Sequence, residues 1–161
     1  MPLLRVAICT NRSPDAVSPC VRELAAQGLP PAALLLVASG LDEAAAREHE
    51  RALATVLPGS RVLGEPRPGL SLARNAALAV CDDDDVLAFV DDDAIPGKGW
   101  LAGLRTAWDA APEEVAALGG PIRPRFLAPR PRWLSDAMLP VLTVLDYGPA
   151  PADLDPTVDM A

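Results

Sequence analysis

Blocks of hydrophobic and polar positions alternate along the first 120 residues in a way that predicts strands and helices in turn. Short runs rich in Leu, Val, Ile and Ala, each ending at polar or glycine residues, predict buried strands. They are Leu3–Cys9, Ala33–Ala38, Arg61–Gly64, Val86–Val90 and Val115–Leu118. Apolar positions at helical spacing, with proline and glycine at the ends, predict helices between these strands. They cover residues 18–28, 41–57, 71–79 and 100–110.

Strands that alternate with helices are typical of α/β proteins. This order predicts a three-layer α/β/α sandwich with a mainly parallel sheet and right-handed crossovers. The pattern stops at Pro121, after which prolines recur, as in Ala128–Pro131. We therefore expect an α/β domain over residues 1–120 and a Pro-rich, loop-rich arm over residues 121–161. One short helix is expected in that arm, near Trp133–Leu139.

Composition and charge narrow the possible functions. The 161 residues are 50% hydrophobic, which suffices for one packed domain. The net charge of −8 argues against nucleic-acid binding, because a phosphate backbone requires a basic surface. An anionic small ligand needs a local arginine or a metal ion to offset the acidic field.

The cysteines and the histidine indicate no Cys/His metal site, and the hydropathy indicates no membrane segment. Cys9, Cys20 and Cys81 lack metal-ligand spacing and are expected to be free buried thiols. The single histidine, His49, lies in a charged helical segment and is expected to be solvated. No apolar run is long enough to span a bilayer, and Met1–Thr10 does not resemble a secretory signal. A cytoplasmic location is therefore expected.

The first chemical signal is a strand that ends in three aspartates. The strand Val86–Val90 leads directly into Asp91, Asp92 and Asp93. Open parallel sheets bind their ligands at the carboxyl ends of strands. In extended backbone Asp91 and Asp93 point the same way and Asp92 points the opposite way. Two convergent carboxylates suit Mg²⁺ or Mn²⁺, whereas the alternative is a solvated acidic turn.

The second signal is the segment Gly69–Asn75, which opens a helix after a proline-bounded loop. A helix start offers unpaired N–H groups to an anion. Arg74 adds a planar fork of donors for a phosphate or a base carbonyl. The alternative is an ordinary amphipathic helix with Arg74 in solvent.

The two signals in this order resemble the family-2 glycosyltransferases of the GT-A fold. The resemblance covers about residues 3–135, and its specific part is the block Ala73–Asp93. Ile8–Arg12 resembles the family's first strand and its polar exit. The resemblance implies a metal-dependent, inverting transferase of hexosyl type that uses Mn²⁺ or Mg²⁺. Its partners would be a nucleotide-sugar donor, with a UDP-sugar favoured, and an unknown acceptor.

The resemblance also implies roles for individual residues. Thr10 and Arg12 would lie near the nucleoside, Arg74 would contact the nucleotide, and Asn75 would shape the loop. Asp91 and Asp92 would bind the donor, and Asp93 would hold the metal together with Asp91. No catalytic base is assigned, because the family takes it from a downstream acceptor-binding segment that these residues do not match. The chain alone is therefore expected to bind donor but to transfer poorly.

Other readings stay open. The family usually carries acidic residues after the second strand, where this chain has Ala38-Ser39-Gly40. One alternative is a truncated, non-catalytic module that binds a nucleotide or a partner chain. Another is a haloacid dehalogenase-like phosphatase. That fold places its D-x-D strand first and needs a lysine much later in the chain, whereas here Lys98 follows the aspartates closely. Apolar patches such as Leu139–Leu145 favour self-association or binding of a partner chain. Asp82–Asp85 are expected to form a solvated loop away from the ligand edge.

Overall fold

The computed structural model describes residues 3–144 and 148 and divides the chain into two compact units. The first unit, Met1–Ala110, contains four strands and four α-helices in alternation. The strands are β1 (Leu4–Thr10), β2 (Leu34–Ser39), β3 (Arg61–Glu65) and β4 (Val86–Asp91). The helices are α1 (Pro14–Ala26), α2 (Glu43–Val56), α3 (Leu70–Leu78) and α4 (Trp100–Ala110). All strand pairs are parallel, in the order β3-β2-β1-β4.

The two central strands are apolar on both sides because each side faces a layer of helices. Alternate residues of a strand point to opposite faces of the sheet. On one face, Val6 and Leu36 pack in a core with side chains of α1 and α2. On the other face, Ala7 and Leu35 pack against Ala73 and its neighbours on α3. The predicted three-layer α/β/α sandwich with a parallel sheet is confirmed.

Helix α1 begins at Pro14, so the prediction that it starts at Ser18 was wrong. Pro19 lies inside the helix and removes one backbone N–H donor, which normally costs about 3 kcal/mol or more. The hydroxyl of Ser18 donates to the Pro14 carbonyl at 3.0 Å, so this carbonyl in the first turn has a hydrogen-bond partner. The buried stripe of the helix starts before Ser18, and burial of this stripe against the sheet offsets the proline. Its members are Val17, Cys20, Val21 and Leu24.

The predicted fifth strand, Val115–Leu118, is not present: these residues lie outside any helix or strand. The N–H of Val115 donates to the Pro112 carbonyl at 3.0 Å, so the segment opens with a local turn. From Ala111 onward, the part of the chain that the structure describes contains one short 3₁₀ helix, Asp136–Leu142. It lies slightly after the predicted Trp133–Leu139.

Some predictions for the Pro-rich arm concern residues outside the described part of the chain. The structure does not describe residues 145–147 and 149–161, so the end of the patch Leu139–Leu145 lies outside the described residues. The division of the chain at residue 120 and the self-association of the patch stay predictions. Within residues 3–144, no helix is long and apolar enough to cross a membrane.

The acidic loop Asp82–Asp85 lies at the end of the sheet opposite the carboxyl edge, as expected. Its last residue differs from the expectation of a solvated loop, because the Asp85 side chain is only 6% exposed. Asp85 forms an ion pair with Arg5 of β1, and its carboxylate also accepts from the N–H of Asp82 at 3.0 Å. This pair lowers the pKa of Asp85 and ties the start of β4 to β1.

Gly40 connects the exit of β2 to the proline-bounded loop before α3. Its N–H donates to the Glu65 carbonyl at 2.7 Å, and its φ of +65° is one that favours glycine. A Cβ at this position would lie 2.9 Å from the Pro68 Cβ. The close approach of these two loops therefore depends on glycine.

We expect Gly40→Ala to lower the free energy of unfolding by about 1–3 kcal/mol, the usual cost of a non-glycine residue in such a conformation. The matched control is Gly64→Ala, because Gly64 has no positive φ and open space around its Cβ position. Urea denaturation of both variants measures the difference. Equal stabilities would contradict the assigned role of Gly40.

Candidate functional site

The strand order brings the carboxyl ends of β1 and β4 side by side. From β1 the chain builds the sheet outward through β2 and β3, then returns to pair β4 with the other edge of β1. Ligands of open α/β sheets bind at such a reversal of strand order. Thr10 ends β1 and Asp91 ends β4, with Cys9 in register with Asp91. The side chains that follow both strands therefore meet at one place.

Thr10 links the two strand ends through its hydroxyl. The Oγ1 atom donates to Oδ2 of Asp92 at 2.6 Å and accepts from the N–H of Arg12 at 3.0 Å. The Arg12 guanidinium lies 3.3 Å from Oδ2 of Asp93 and 3.5 Å from Oδ1 of Asp92. Four of the residues singled out in the sequence thus form one connected group.

Arg74 lies at the same edge, on the face of the sheet that α3 covers. Its Nη2 is 4.0 Å from Oδ1 of Asp91, and its guanidinium carbon lies 5.3 Å from the centre of the Phe89 ring. Phe89 and Asp91 are two apart on β4 and therefore share a face. Asn75, the next residue of α3, is exposed.

The three aspartates do not alternate as extended backbone predicts. Strand β4 ends at Asp91, and a turn closed by the hydrogen bond from Ala94 N–H to the Asp91 carbonyl follows it, at 3.0 Å. As a result Asp91 contacts Arg74, whereas both Asp92 and Asp93 contact Arg12. The expectation that Asp91 and Asp93 point the same way rests on strand geometry that the chain leaves at this point.

Two of these carboxylates have the chemistry to hold a divalent cation. The side chains of Asp91 and Asp93 are 73% and 71% exposed, whereas Asp92 is 14% exposed and hydrogen-bonded to Thr10. Mg²⁺ is commonly held by one or two carboxylates together with substrate phosphates. The described residues contain no cluster of three or more metal-ligating side chains. Asp91 and Asp93 contact different arginines, and each has exposed oxygens of the kind that bind a cation shared with substrate phosphates.

A cavity of about 350 Å³ lies beside this group, between the ends of β1 and β2 and the start of α3. This volume falls in the range of small-molecule sites. The lining side chains share one property, the absence of a formal charge: they include Cys9, Thr10, Asn11, Ser39, Leu41 and Leu70. Ser39 is buried, and its hydroxyl accepts from the Gly69 N–H at 3.3 Å.

Glu65 and Arg67 fix the loop that closes this cavity, and the sequence analysis missed them. The Arg67 guanidinium pairs with both carboxylate oxygens of Glu65, at 2.9 and 3.0 Å, and the Arg67 N–H adds a third bond at 3.0 Å. These hydrogen bonds lower the pKa of Glu65 to about 2. An acid and a base two residues apart around Pro66 are the signal that could have indicated the pair.

Gln27 holds the far end of the loop that carries the aspartates. Its side-chain amide donates to the carbonyls of Pro96 and Gly97 at 3.2 and 3.0 Å, and its Oε1 accepts from the N–H of Leu101 at 3.1 Å. One side chain at the end of α1 therefore fixes both the loop after β4 and the start of α4. A single glutamine gives no sequence signal for such a role.

His49 is buried, contrary to the expectation that it is solvated. It is 2% exposed, and its Nε2 lies 3.0 Å from the carbonyl oxygen of Arg12. The missed signal is its position four residues before Leu53, which puts both side chains on the buried face of α2.

The cysteines are free, but only Cys20 is fully buried; Cys9 and Cys81 are partly exposed. Burial, together with a smaller effect of the nearby aspartates, raises the pKa of Cys20 to about 12. Burial also raises the pKa of Cys9 in the cavity, against the opposing effect of Arg74. A thiol that keeps its proton is a poor nucleophile.

The comparison with protein families agrees with this fold. The model of glycosyl transferase family 2 matches residues 6–145, and the chain belongs to this family. The resemblance found in the sequence is therefore confirmed. Neither the curated proteins nor the solved structures contain a match to the chain.

The Glu65–Arg67 pair predicts a specific dependence of stability on pH. Because folding lowers the pKa of Glu65 from 4.5 to about 2, the pair stabilises the fold above the ordinary pKa. This contribution is lost as the pH falls from about 5 towards 2. In urea denaturation we expect Glu65→Gln to be destabilised at neutral pH and to converge with the wild type near pH 2. Glu50→Gln, an exposed position on α2, is the control; a Glu65→Gln deficit independent of pH would contradict the assignment.

Proposed function

We propose that this glycosyltransferase binds a nucleoside-diphosphate sugar, with a UDP-sugar favoured, at the carboxyl ends of β1 and β4. The observation that carries the proposal is the convergence there of two arginines and three aspartates from separate parts of the chain. They are Arg12, Arg74, Asp91, Asp92 and Asp93. In a protein of net charge −8, two arginines at one sheet edge are suited to bind an anion.

The neighbouring cavity suits the nucleoside. Its walls are uncharged, and Thr10 belongs both to the cavity and to the aspartate group. A base in this cavity would therefore be bound by neutral polar groups and apolar contacts, without the carboxylate that the family usually has after the second strand. The diphosphate would then extend towards Arg12 and Arg74, whose guanidinium groups donate to phosphate oxygens.

Asp93 and Asp91 would hold Mn²⁺ or Mg²⁺ at this edge, through exposed carboxylate oxygens. A bound divalent cation neutralises the negative charge that builds on the departing diphosphate. Asp92 would contribute by position: its hydrogen bond to Thr10 keeps the aspartate turn against β1. Asn75 would shape the exposed surface of α3 next to Arg74.

We assign donor binding to residues 1–120 and the start of the acceptor region to residues 121–161. All residues that support donor binding lie in the first of these parts. We further propose a hexosyl transfer by single displacement, in which a carboxylate base deprotonates the acceptor hydroxyl opposite the diphosphate. Membership of family 2 favours transfer over a phosphatase or a binding module without turnover.

Calorimetry with UDP, with and without Mn²⁺, tests the donor site. We expect Mn²⁺ to strengthen UDP binding and Asp93→Ala to remove this gain. A charged contact contributes about 1.5–3 kcal/mol, or about 10- to 100-fold in affinity. The control is Asp83→Ala, which removes the same charge from the acidic loop at the opposite end of the sheet.

The outcomes separate the parts of this proposal. Equal UDP affinity with and without Mn²⁺ would remove the metal from it. Binding of another nucleoside diphosphate in preference to UDP would change the base but keep the site. Loss of binding in Asp83→Ala as large as in Asp93→Ala would show a general charge effect.

The stereochemistry of the product tests the single displacement. With a panel of sugar donors and acceptors, we expect any transferred sugar to have the opposite configuration at its anomeric carbon. The proton coupling constant in the NMR spectrum of the product measures this. Retention of configuration would contradict single displacement and require a nucleophile in the protein.

A further inference from the structure

We propose that His49 is a positioning residue for the donor site: it holds the main chain of Arg12 so that the guanidinium reaches the aspartate turn. The inference rests on the proposed function, because donor binding is one of its readouts. It adds a residue on α2, a helix that otherwise contributes nothing to the site.

The burial of His49 requires an explanation. Its ring lies in the apolar layer between α1, α2 and the sheet, where a polar group is costly unless it is hydrogen-bonded. Its partner is the Arg12 carbonyl, 37 residues away in the chain and 3.0 Å from Nε2. Because a carbonyl only accepts hydrogen bonds, Nε2 carries the proton.

The His49 ring does not line the larger cavity beside the aspartates. The cavity against it has a volume of only about 10 Å³, which is no larger than the space for one water molecule. His49 can therefore affect the donor only through the residue that it holds. That residue is Arg12.

Arg12 is bound at three points, and His49 provides one of them. Its N–H donates to the hydroxyl of Thr10 at 3.0 Å, and its guanidinium lies 3.3 Å from Asp93. The residue lies between β1 and α1, so no sheet or helix hydrogen bond fixes its carbonyl. The hydrogen bond from His49 holds this carbonyl instead.

The main-chain bond has a consequence for the side chain. The Arg12 side chain is 47% exposed, and ion pairs in such surroundings are weak by themselves. They persist when the backbone already directs the side chain towards its partner, because less conformational entropy is then lost. Loss of the His49 bond should therefore weaken donor binding while most of the fold remains.

A set of variants separates this role from a general loss of packing. His49→Leu fills the ring's space without a donor, and His49→Gln keeps an N–H at a similar reach. Both are combined with Arg12→Ala, and Leu53→Ala is the control, since Leu53 is buried one turn further along α2. Calorimetry measures UDP affinity in the presence of Mn²⁺, and urea denaturation measures stability. His49→Asn, with a shorter amide, replaces His49→Leu if the latter does not fold.

We expect His49→Leu to weaken UDP binding about fivefold, the effect of one hydrogen bond, and His49→Gln to restore most of it. In the Arg12→Ala background, His49→Leu should cause no further loss, because both changes act through one side chain. Leu53→Ala should lower stability and leave the affinity within about twofold. Unchanged binding in His49→Leu, no recovery in His49→Gln, or equal losses with and without Arg12 would each overturn the inference.

A measurement without ligand keeps the test independent of the donor. The hydrogen exchange of the Arg12 N–H reports how firmly this residue is held. We compare the two variants under conditions where their stabilities are equal, and expect the Arg12 N–H to exchange faster in His49→Leu than in Leu53→Ala. Equal exchange rates would contradict the inference. If the exchange responds as expected but the wild type binds no nucleotide, the proposed function fails and the positioning of Arg12 stands.

Discussion

Strand β1 is paired on both edges and covered on both faces, and the site depends on this placement. Its neighbours β2 and β4 are parallel to it, and its residues Val6, Ala7 and Ile8 have no exposed surface. A strand held in this way cannot shift in register without exposing its apolar side chains. Thr10 is therefore held at the carboxyl edge, where its hydroxyl reaches Asp92 of the neighbouring strand end.

Proteins bind anions through local positive charge, and at this edge of an acidic protein arginines and aspartates occur together. Two arginines, Arg12 and Arg74, approach the three aspartates from different elements. The carboxylates lower the local potential, and they add to the effect of burial, which is the main cause of the raised pKa of Cys20. Arginines paired with carboxylates are already oriented, so less conformational entropy is lost when they bind a further group. Each arginine therefore lies beside a carboxylate that holds its guanidinium at this edge.

The deviations from the sequence predictions share one cause. Local preferences predicted that α1 starts at Ser18, that His49 is solvated and that Val115–Leu118 forms a strand. The structure differs at each of these places. In α1 the burial of a stripe that begins at Val17 outweighs the cost of the proline. The charged sequence of α2 predicted that the His49 ring is in solvent. The ring is instead buried, because the Arg12 carbonyl in a distant loop accepts a hydrogen bond from it. At Val115 a turn from Pro112 occupies an N–H that a strand would pair with its neighbour.

The sequence by itself determined the alternation of strands and helices, the parallel sheet and the polar residues at strand ends. These follow from hydrophobic periodicity and from turn residues, which act over a few positions. The tertiary structure alone decided which of those residues meet. Arg12 and Asp93 are 81 residues apart, and their contact depends on β4 returning to pair beside β1. The directions of Asp91 and Asp93 likewise depend on where β4 ends, and the partner of His49 depends on how α2 packs. Such contacts are set by strand order and packing, because local sequence preferences do not specify which distant segments become neighbours.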